Sequence, residues 1–313
     1  MVALALLQVG VVLAISLWLL IGRPTTWWDL ALRTIGGWLL LLGVALAGLW
    51  LALPLSTLLP LSAMMLLASA VAGWRAYKAP WPAVRPVFVW AGRIVAVAVL
   101  ALGVWLAVPS LAGRIPPQGA VGIRFPLKGG HYLVLNGGGS ERVNGHMTTL
   151  EPRYAAWRGE SYAVDLVRID ELGFRTRRRQ LFASPQNPAD YLSYGEPVYA
   201  PCAGLVEAMM EERADMPVPV RDRKHIEGNF IRLRCGDLIA FLGHFRRGGV
   251  VVRAGDTVAA GTLLGQVGNS GNSDEPHLHV HLQKPASEGA PLSGVPVHLT
   301  FDGRFPVRNM IFE

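Results

Sequence analysis

The residues best able to do chemistry lie in one stretch, Gly268-Asn-Ser-Gly-Asn-Ser-Asp-Glu-Pro-His277-Leu-His279-Val-His281-Leu282. A loop of Gly, Asn and Ser runs into strict alternation. On a strand, residues two apart face the same side. His277, His279 and His281 therefore share one face, and Leu278, Val280 and Leu282 share the other. Three imidazoles are costly to bury without partners. A metal ion is a ready partner, because neutral imidazole is a common zinc ligand. The sequence has no His-Glu-x-x-His helix, so it offers no glutamate base of that kind.

Pro276-His277-Leu278-His279, after its Gly-Asn-Ser-Gly-Asn-Ser loop, resembles the signature of the lysostaphin-type (LytM-like) zinc metallopeptidases. Other segments agree. Tyr194-Gly-Glu-Pro-Val-Tyr-Ala-Pro-Cys-Ala-Gly-Leu-Val206 resembles the family's strand-turn-strand, and Phe241-Leu-Gly-His244-Phe its central His segment. Phe125-Pro-Leu-Lys-Gly-Gly130 and Asn136-Gly-Gly-Gly139 resemble the entry of a membrane-anchored subgroup. The likeness spans about residues 122–300.

The resemblance implies hydrolysis of peptide bonds in bacterial peptidoglycan with one Zn2+ per chain. By position, His279 and Asp165 are zinc ligands, and His277 and His244 are the catalytic histidines. The chain departs from the pattern at Ser161, where relatives carry the remaining His ligand four residues before the Asp. In the membrane-anchored subgroup that His comes from an earlier Asn-X-His stretch, which Asn144-Gly-His146 fits. His146 is therefore the expected third ligand, with His131 as the fallback. His281 stands where relatives often have Glu, so it either orients a ligand or fills the strand face. His225 and His298 are expected at the surface. Water would take the fourth zinc position. One histidine would act as base and the other would face the developing oxyanion, and the sequence does not say which is which.

Something must hold these residues, and the composition divides the 313-residue chain in two. Apolar residues make up 51% and charged residues 16%, with a mean hydropathy of +0.34. A soluble chain has about 25% charged residues, so part of this one is expected in lipid. Ala3–Ile21, Thr34–Trp74 and Ile94–Ser110 carry no charge. A bilayer crossing takes about 20 apolar residues. The runs predict an α-helical membrane region over 1–112 with four helices near 3–22, 36–53, 57–74 and 88–109, and a turn at Pro54 and Pro60.

Loop 22–35 holds Arg23 and Arg33, and loop 74–87 holds Arg75, Lys78 and Arg85, whereas the loop between them has no basic residue. Basic loops stay cytoplasmic, so both ends are expected outside. The first run lacks the basic n-region and small-residue cleavage site of a signal peptide, so it reads as an uncleaved helix. The helices are poor in ionisable residues, which argues against a transport pathway. Together with the resemblance, this implies a multi-pass protein of the bacterial inner (plasma) membrane with its C-terminal domain on the periplasmic or extracytoplasmic side.

Residues 113–313 change character. Short alternating runs separated by Gly-containing turns predict a mostly antiparallel β domain without ordinary helices. Two polar stretches interrupt it, 169–192 with Arg175, Arg177, Arg178 and Arg179, and 210–228. They read either as solvated loops or as cleft walls for an anionic polymer. Cys202 and Cys235 fall in the exported half, where disulfides persist; a bridge and two buried thiols both fit.

The net charge of +7 comes mainly from residues 1–110, which hold six basic residues and one acid. That distribution, with no nucleic-acid motif, argues against a nucleic-acid partner. The leading expectation is a membrane-anchored zinc metalloendopeptidase that hydrolyses peptidoglycan cross-links. Its partners are the peptidoglycan peptide and the lipid bilayer. The alternative is a non-catalytic LytM-like module that binds or activates another cell-wall hydrolase.

Overall fold

The computed structural model describes residues 2–78, 81, 85–182, 184–285 and 290–313. The chain divides into two compact units, Met1–Ala112 and Gly113–Glu313.

The first unit contains α1 (Val2–Ile21), α2 (Trp27–Ala47), α3 (Leu58–Lys78) and α4 (Pro86–Ala112). All four are long and apolar enough to cross a membrane. α2 begins nine residues before the expected position 36. Charge was the reason to start it late, and the structure neutralises that charge within the helix. Arg33 Nε lies 2.8 Å from Asp29 Oδ1, one turn away, and both side chains are buried. Thr26 accepts a hydrogen bond from Asp29 N and so caps the helix. The Arg33 guanidinium also stacks over Trp18 at 4.5 Å. Arg33 therefore leaves the first loop, and the expected orientation rests on Arg23 at the first loop together with Arg75, Lys78 and Arg85 around the second, against the intervening segment that has no basic residue. Residues 79–80 and 82–84 of that second basic loop lie outside the described residues. α2 and α4 approach closely through glycine: a Cβ on Gly103 would sit 2.7 Å from Leu40 N, the small-residue packing typical of membrane helices.

The second unit is built from β1 (Val121–Ile123), β2 (His131–Asn136), β3 (Val164–Ile169), β4 (Pro197–Tyr199), β5 (Gly204–Met210), β6 (Phe230–Cys235), β7 (Leu238–Gly243), β8 (Phe245–Val250), β9 (Thr257–Val258), β10 (Leu263–Val267), β11 (Leu278–Lys284), β12 (Val295–Val297), β13 (Leu299–Phe301) and β14 (Ile311–Phe312). The main sheet runs β14-β2-β3-β11-β7-β6-β5-β9, with β12 also paired to β11. A second sheet has the order β4-β10-β8. β1 and β13 form a parallel pair, and every other strand pairing among the described residues is antiparallel.

The alternation in β11 explains its place at the centre of the sheet. Leu278, Val280 and Leu282 are fully buried with Leu166, Leu233, Ala240 and Leu242 in the apolar core. His279 and His281 take the opposite face. The Val250–Val252 run only closes β8, which starts at Phe245, and Val251 and Val252 lie beyond its end. Cys202 and Cys235 form a disulfide with Cα atoms 5.9 Å apart, which resolves the cysteine alternatives.

Candidate metal centre and histidine pair

Sheet register brings the first residues together. His279 on β11 pairs with Gly243 on β7 and with Asp165 on β3, and Asp165 pairs with Asn136 on β2. Side chains in one cross-strand row face one side. His279 Nδ1 lies 3.1 Å from Asp165 Oδ1.

His146 arrives from outside the sheet, on a short 3-10 turn, Gly145–Leu150. Its Nε2 lies 2.9 Å from Asp165 Oδ2. Fully buried Asn144 caps the turn, accepting from His146 N at 3.1 Å and donating to Ala163 O at 3.1 Å. The turn is thereby fastened to the approach to β3. Asn136 adds a second fastening. Its Nδ2 donates to Asp165 Oδ2 at 2.7 Å, and its Oδ1 accepts from Gly145 N at 3.2 Å and from Arg308 Nη2 at 2.6 Å.

Ser161 does not join this group. Its hydroxyl donates to Arg158 O at 2.6 Å and lies 2.8 Å from Thr149 Oγ1. His131 is about half-exposed at the start of β2, 3.5 Å from Glu313. His225 is partly exposed and bonds to Asp222. His298, expected at the surface, is instead partly buried and stacked on Tyr162 with ring centroids 3.6 Å apart.

The donor set fits zinc. One donor atom from each of His146, Asp165 and His279 lies within 4.8 Å of the others. Four-coordinate zinc with bonds of about 2.0–2.2 Å takes nitrogen and carboxylate donors roughly 3.3 Å apart. The Asp165 contacts of 2.9 and 3.1 Å are already close to that spacing.

Ionisation is consistent with a cation-binding cluster. Burial works to lower the His146 pKa, but the Asp165 carboxylate outweighs it and raises the pKa to about 9. Burial likewise opposes ionisation of Asp165, yet His146 and His277 hold its carboxyl well below the ordinary range.

His281 completes the support for His279. Its Nδ1 lies 3.0 Å from His279 Nε2, and its ring stacks on Phe241 at 5.0 Å. With His279 Nδ1 turned to a metal, His279 Nε2 carries the proton and donates it to His281. His281 is fully buried, and its Nε2 has no hydrogen-bond partner among the described residues. Burial, reinforced by His279 and His146, holds its pKa well below the ordinary value.

His244 and His277 sit beside this cluster with ring centroids 4.8 Å apart. The two are wired alike. His244 Nδ1 donates to Ser270 O at 2.8 Å, and His277 Nδ1 donates to Glu275 O at 2.8 Å. Each ring thus presents Nε2, and His277 Nε2 lies 3.6 Å from Asp165 Oδ1. His244 occupies the left-handed region at φ 65°, a conformation costly for a residue with a Cβ and one that recurs at functional sites. Burial, then His277 and His279, lower the His244 pKa well below its usual value.

Several supporting residues carry no assigned role in the sequence reading: Asn136, Ser270, Arg175 and Glu275 fall within segments singled out there, and Arg308 within none. They are ordinary polar residues, and only the register of the sheet and the loop closures show what they hold.

Residues 190–293 match the model of peptidase family M23. This bears out the resemblance read from the motifs over the part of the C-terminal unit that the match covers. The match takes in His244, His277 and His279, whereas His146 and Asp165 precede it. No curated protein matches the chain. Among solved structures, a peptidase M23 from Pseudomonas aeruginosa is 22% identical over 37% of this chain and 42% of that one, at a TM-score of 0.23. The lysostaphin catalytic domain of Staphylococcus simulans is 22% identical over 41% and 69%, at 0.26. A zinc-containing peptidase from Vibrio cholerae is 16% identical over 56% and 40%, at 0.30. The chain thus spans less than half the length of the Pseudomonas and Vibrio proteins.

Proposed function

We propose that the protein is a membrane-anchored zinc metalloendopeptidase that hydrolyses peptide cross-links of bacterial peptidoglycan, its C-terminal domain lying outside the plasma membrane. The observation that carries this reading is convergence. His146, Asp165 and His279 gather their donor atoms within 4.8 Å, and the paired Nε2 atoms of His244 and His277 lie alongside. These residues come from segments up to 133 positions apart in the sequence. A module that only binds a partner has no need of both sets.

In this reading His146, Asp165 and His279 hold the zinc. Zinc held there would supply Lewis acidity toward the scissile carbonyl and would lower the pKa of a bound water to about 7. His279 is kept in the correct tautomer by His281, and Asp165 is oriented by Asn136. The histidine pair manages the proton. A neutral imidazole whose Nδ1 proton is held by a carbonyl has only a lone pair at Nε2, so each ring starts as an acceptor. One ring takes the proton of the attacking water, and the protonated ring then donates to the oxyanion or the leaving amine.

The test uses the full chain in detergent with purified peptidoglycan, scoring metal content and product masses together. His279→Ala is expected to lose both zinc and hydrolysis, and His277→Ala to keep zinc and lose hydrolysis. Full hydrolysis by His279→Ala refutes the centre. Stoichiometric zinc without any cleavage by the intact chain favours the non-catalytic module instead.

A further inference from the structure

The loop spanning residues 169–192 reads in sequence as a charged surface segment, yet Arg175 within it is buried. Its Nε lies 2.8 and 3.0 Å from the two carboxylate oxygens of Glu275, whose side chain is 2% exposed. The loop fixes Arg175 on its own side: Leu192 N donates to Arg175 O, Thr176 bridges to Tyr191, and the guanidinium lies 5.5 Å from the Tyr191 ring. Glu275 is held twice. Its side chain meets Arg175, and its carbonyl oxygen accepts from His277 Nδ1 at 2.8 Å. Ser273 Oγ lies 2.8 Å from that same carbonyl and 3.1 Å from His277 Nδ1.

We propose that Arg175 and Glu275 are positioning residues. Their buried ion pair sets the Glu275 carbonyl, and that carbonyl fixes the ring plane and tautomer of His277 so that Nε2 faces the reaction site. A buried ion pair contributes little net stability, because desolvation offsets its attraction. Its effect is geometric. With the pair in place the Glu275 peptide is held in one orientation, and its carbonyl, at 2.8 Å, is the nearest acceptor for His277 Nδ1–H, ahead of Ser273 Oγ at 3.1 Å. The 169–192 loop is therefore part of the catalytic architecture and not a free cleft wall at Arg175. This inference rests on the catalytic reading of His277, but one arm of its test does not.

The test compares the full chain with Glu275→Gln, which keeps the shape, and with Arg175→Met/Glu275→Met, which removes both charges. Zinc content should stay at the wild-type level, since no ligand is touched. The rate constant kcat should fall by roughly tenfold or more with KM changed by less than about threefold, the signature of a misplaced catalytic group. The arm independent of catalysis is the reactivity of His277 toward diethyl pyrocarbonate, read by peptide mass spectrometry. It should rise in both variants, while partly exposed His225, remote in sequence from the changed residues, reacts as before. Unchanged His277 reactivity, or a wild-type kcat in the double variant, overturns the proposal. A wild-type chain that hydrolyses nothing while His277 reactivity still rises would end the catalytic reading and leave the positioning intact.

Discussion

Zinc binding should expel a proton from His146, and the structure gives its size. The neighbouring carboxylate raises the His146 pKa to about 9 in the metal-free protein, so at neutral pH this ring is almost entirely protonated. A zinc ligand must be neutral imidazole, so the proton has to leave. Between pH 7 and 9 one such proton changes apparent zinc affinity by about tenfold per pH unit, roughly 3 kcal/mol over the interval. An ordinary histidine with a pKa of about 6.5 would contribute almost nothing there. Water acidified by the metal adds its own slope in the same range, so the useful quantity is a difference between proteins. The assay is competition with a chelator from pH 6.5 to 9.5, for the intact chain and for His146→Ala, with calorimetry in two buffers to count released protons. The intact chain should release close to one proton more at pH 7 and show a slope steeper by about one. Equal proton release in the two proteins would refute His146 as a ligand. Loss of that difference on Ser161→Ala would point to the usual family position instead.

Other perturbations test separate parts of the structure. His281→Ala should lower zinc affinity by about 10- to 100-fold, the usual effect of losing the group behind a metal-ligating His; unchanged affinity would mean that His281 only fills space. In the metal-free protein, His146 is stabilising while protonated. Its folded pKa of about 9 exceeds the unfolded value, so this contribution is complete below about pH 6.5 and is lost as pH rises through 9. Unfolding midpoints of the metal-free chain should therefore fall between pH 7 and 10, and a flat profile would contradict the ion pair. Replacing both Cys202 and Cys235 by Ala opens a closure of 33 residues and should cost about 3–4 kcal/mol, measured by denaturant unfolding of the C-terminal unit. Asp29→Ala leaves Arg33 buried without its partner and should destabilise the helical unit by roughly 3–5 kcal/mol, visible as a lower melting point in detergent; an unchanged melting point would mean that Arg33 reaches water.

The division of the chain was legible because each half has a period or a length that only one structure satisfies. Uncharged runs of membrane-spanning length became α1 to α4, and Leu278-His279-Val280-His281 became a central strand with one apolar face. What remained hidden was charge that neutralises itself. Asp29 and Arg33 look like a loop in a hydropathy reading, because each charge is scored alone. One helical turn pairs them, and the helix begins nine residues earlier. Arg175 was hidden for the same reason at longer range. Among Arg177, Arg178 and Arg179 it reads as solvent-facing, and its partner Glu275 lies 100 residues away.

The Ser161 substitution shows why a metal centre is better sought in space than by sequence position. A cation constrains donor atoms and not the chain segments that deliver them. At 161 the side chain is small and fully buried, and its hydroxyl bonds locally to Arg158 and Thr149. The imidazole at 146 approaches Asp165 from a turn that is a surface feature by itself. Such a turn could not hold a ligand to a few tenths of an ångström without attachments. It has three: the Asn144 cap, the Asn144 bond to Ala163, and the Asn136 bridge that touches both the turn and Asp165. Arg308 in turn braces Asn136, donating to its Oδ1 and to Leu135 O. His146, the proposed ligand, thus comes with buried Asn144 and Arg308, polar residues that would be costly to bury without these bonds. Their convergence on one carboxylate is the support that the proposed ligand set requires.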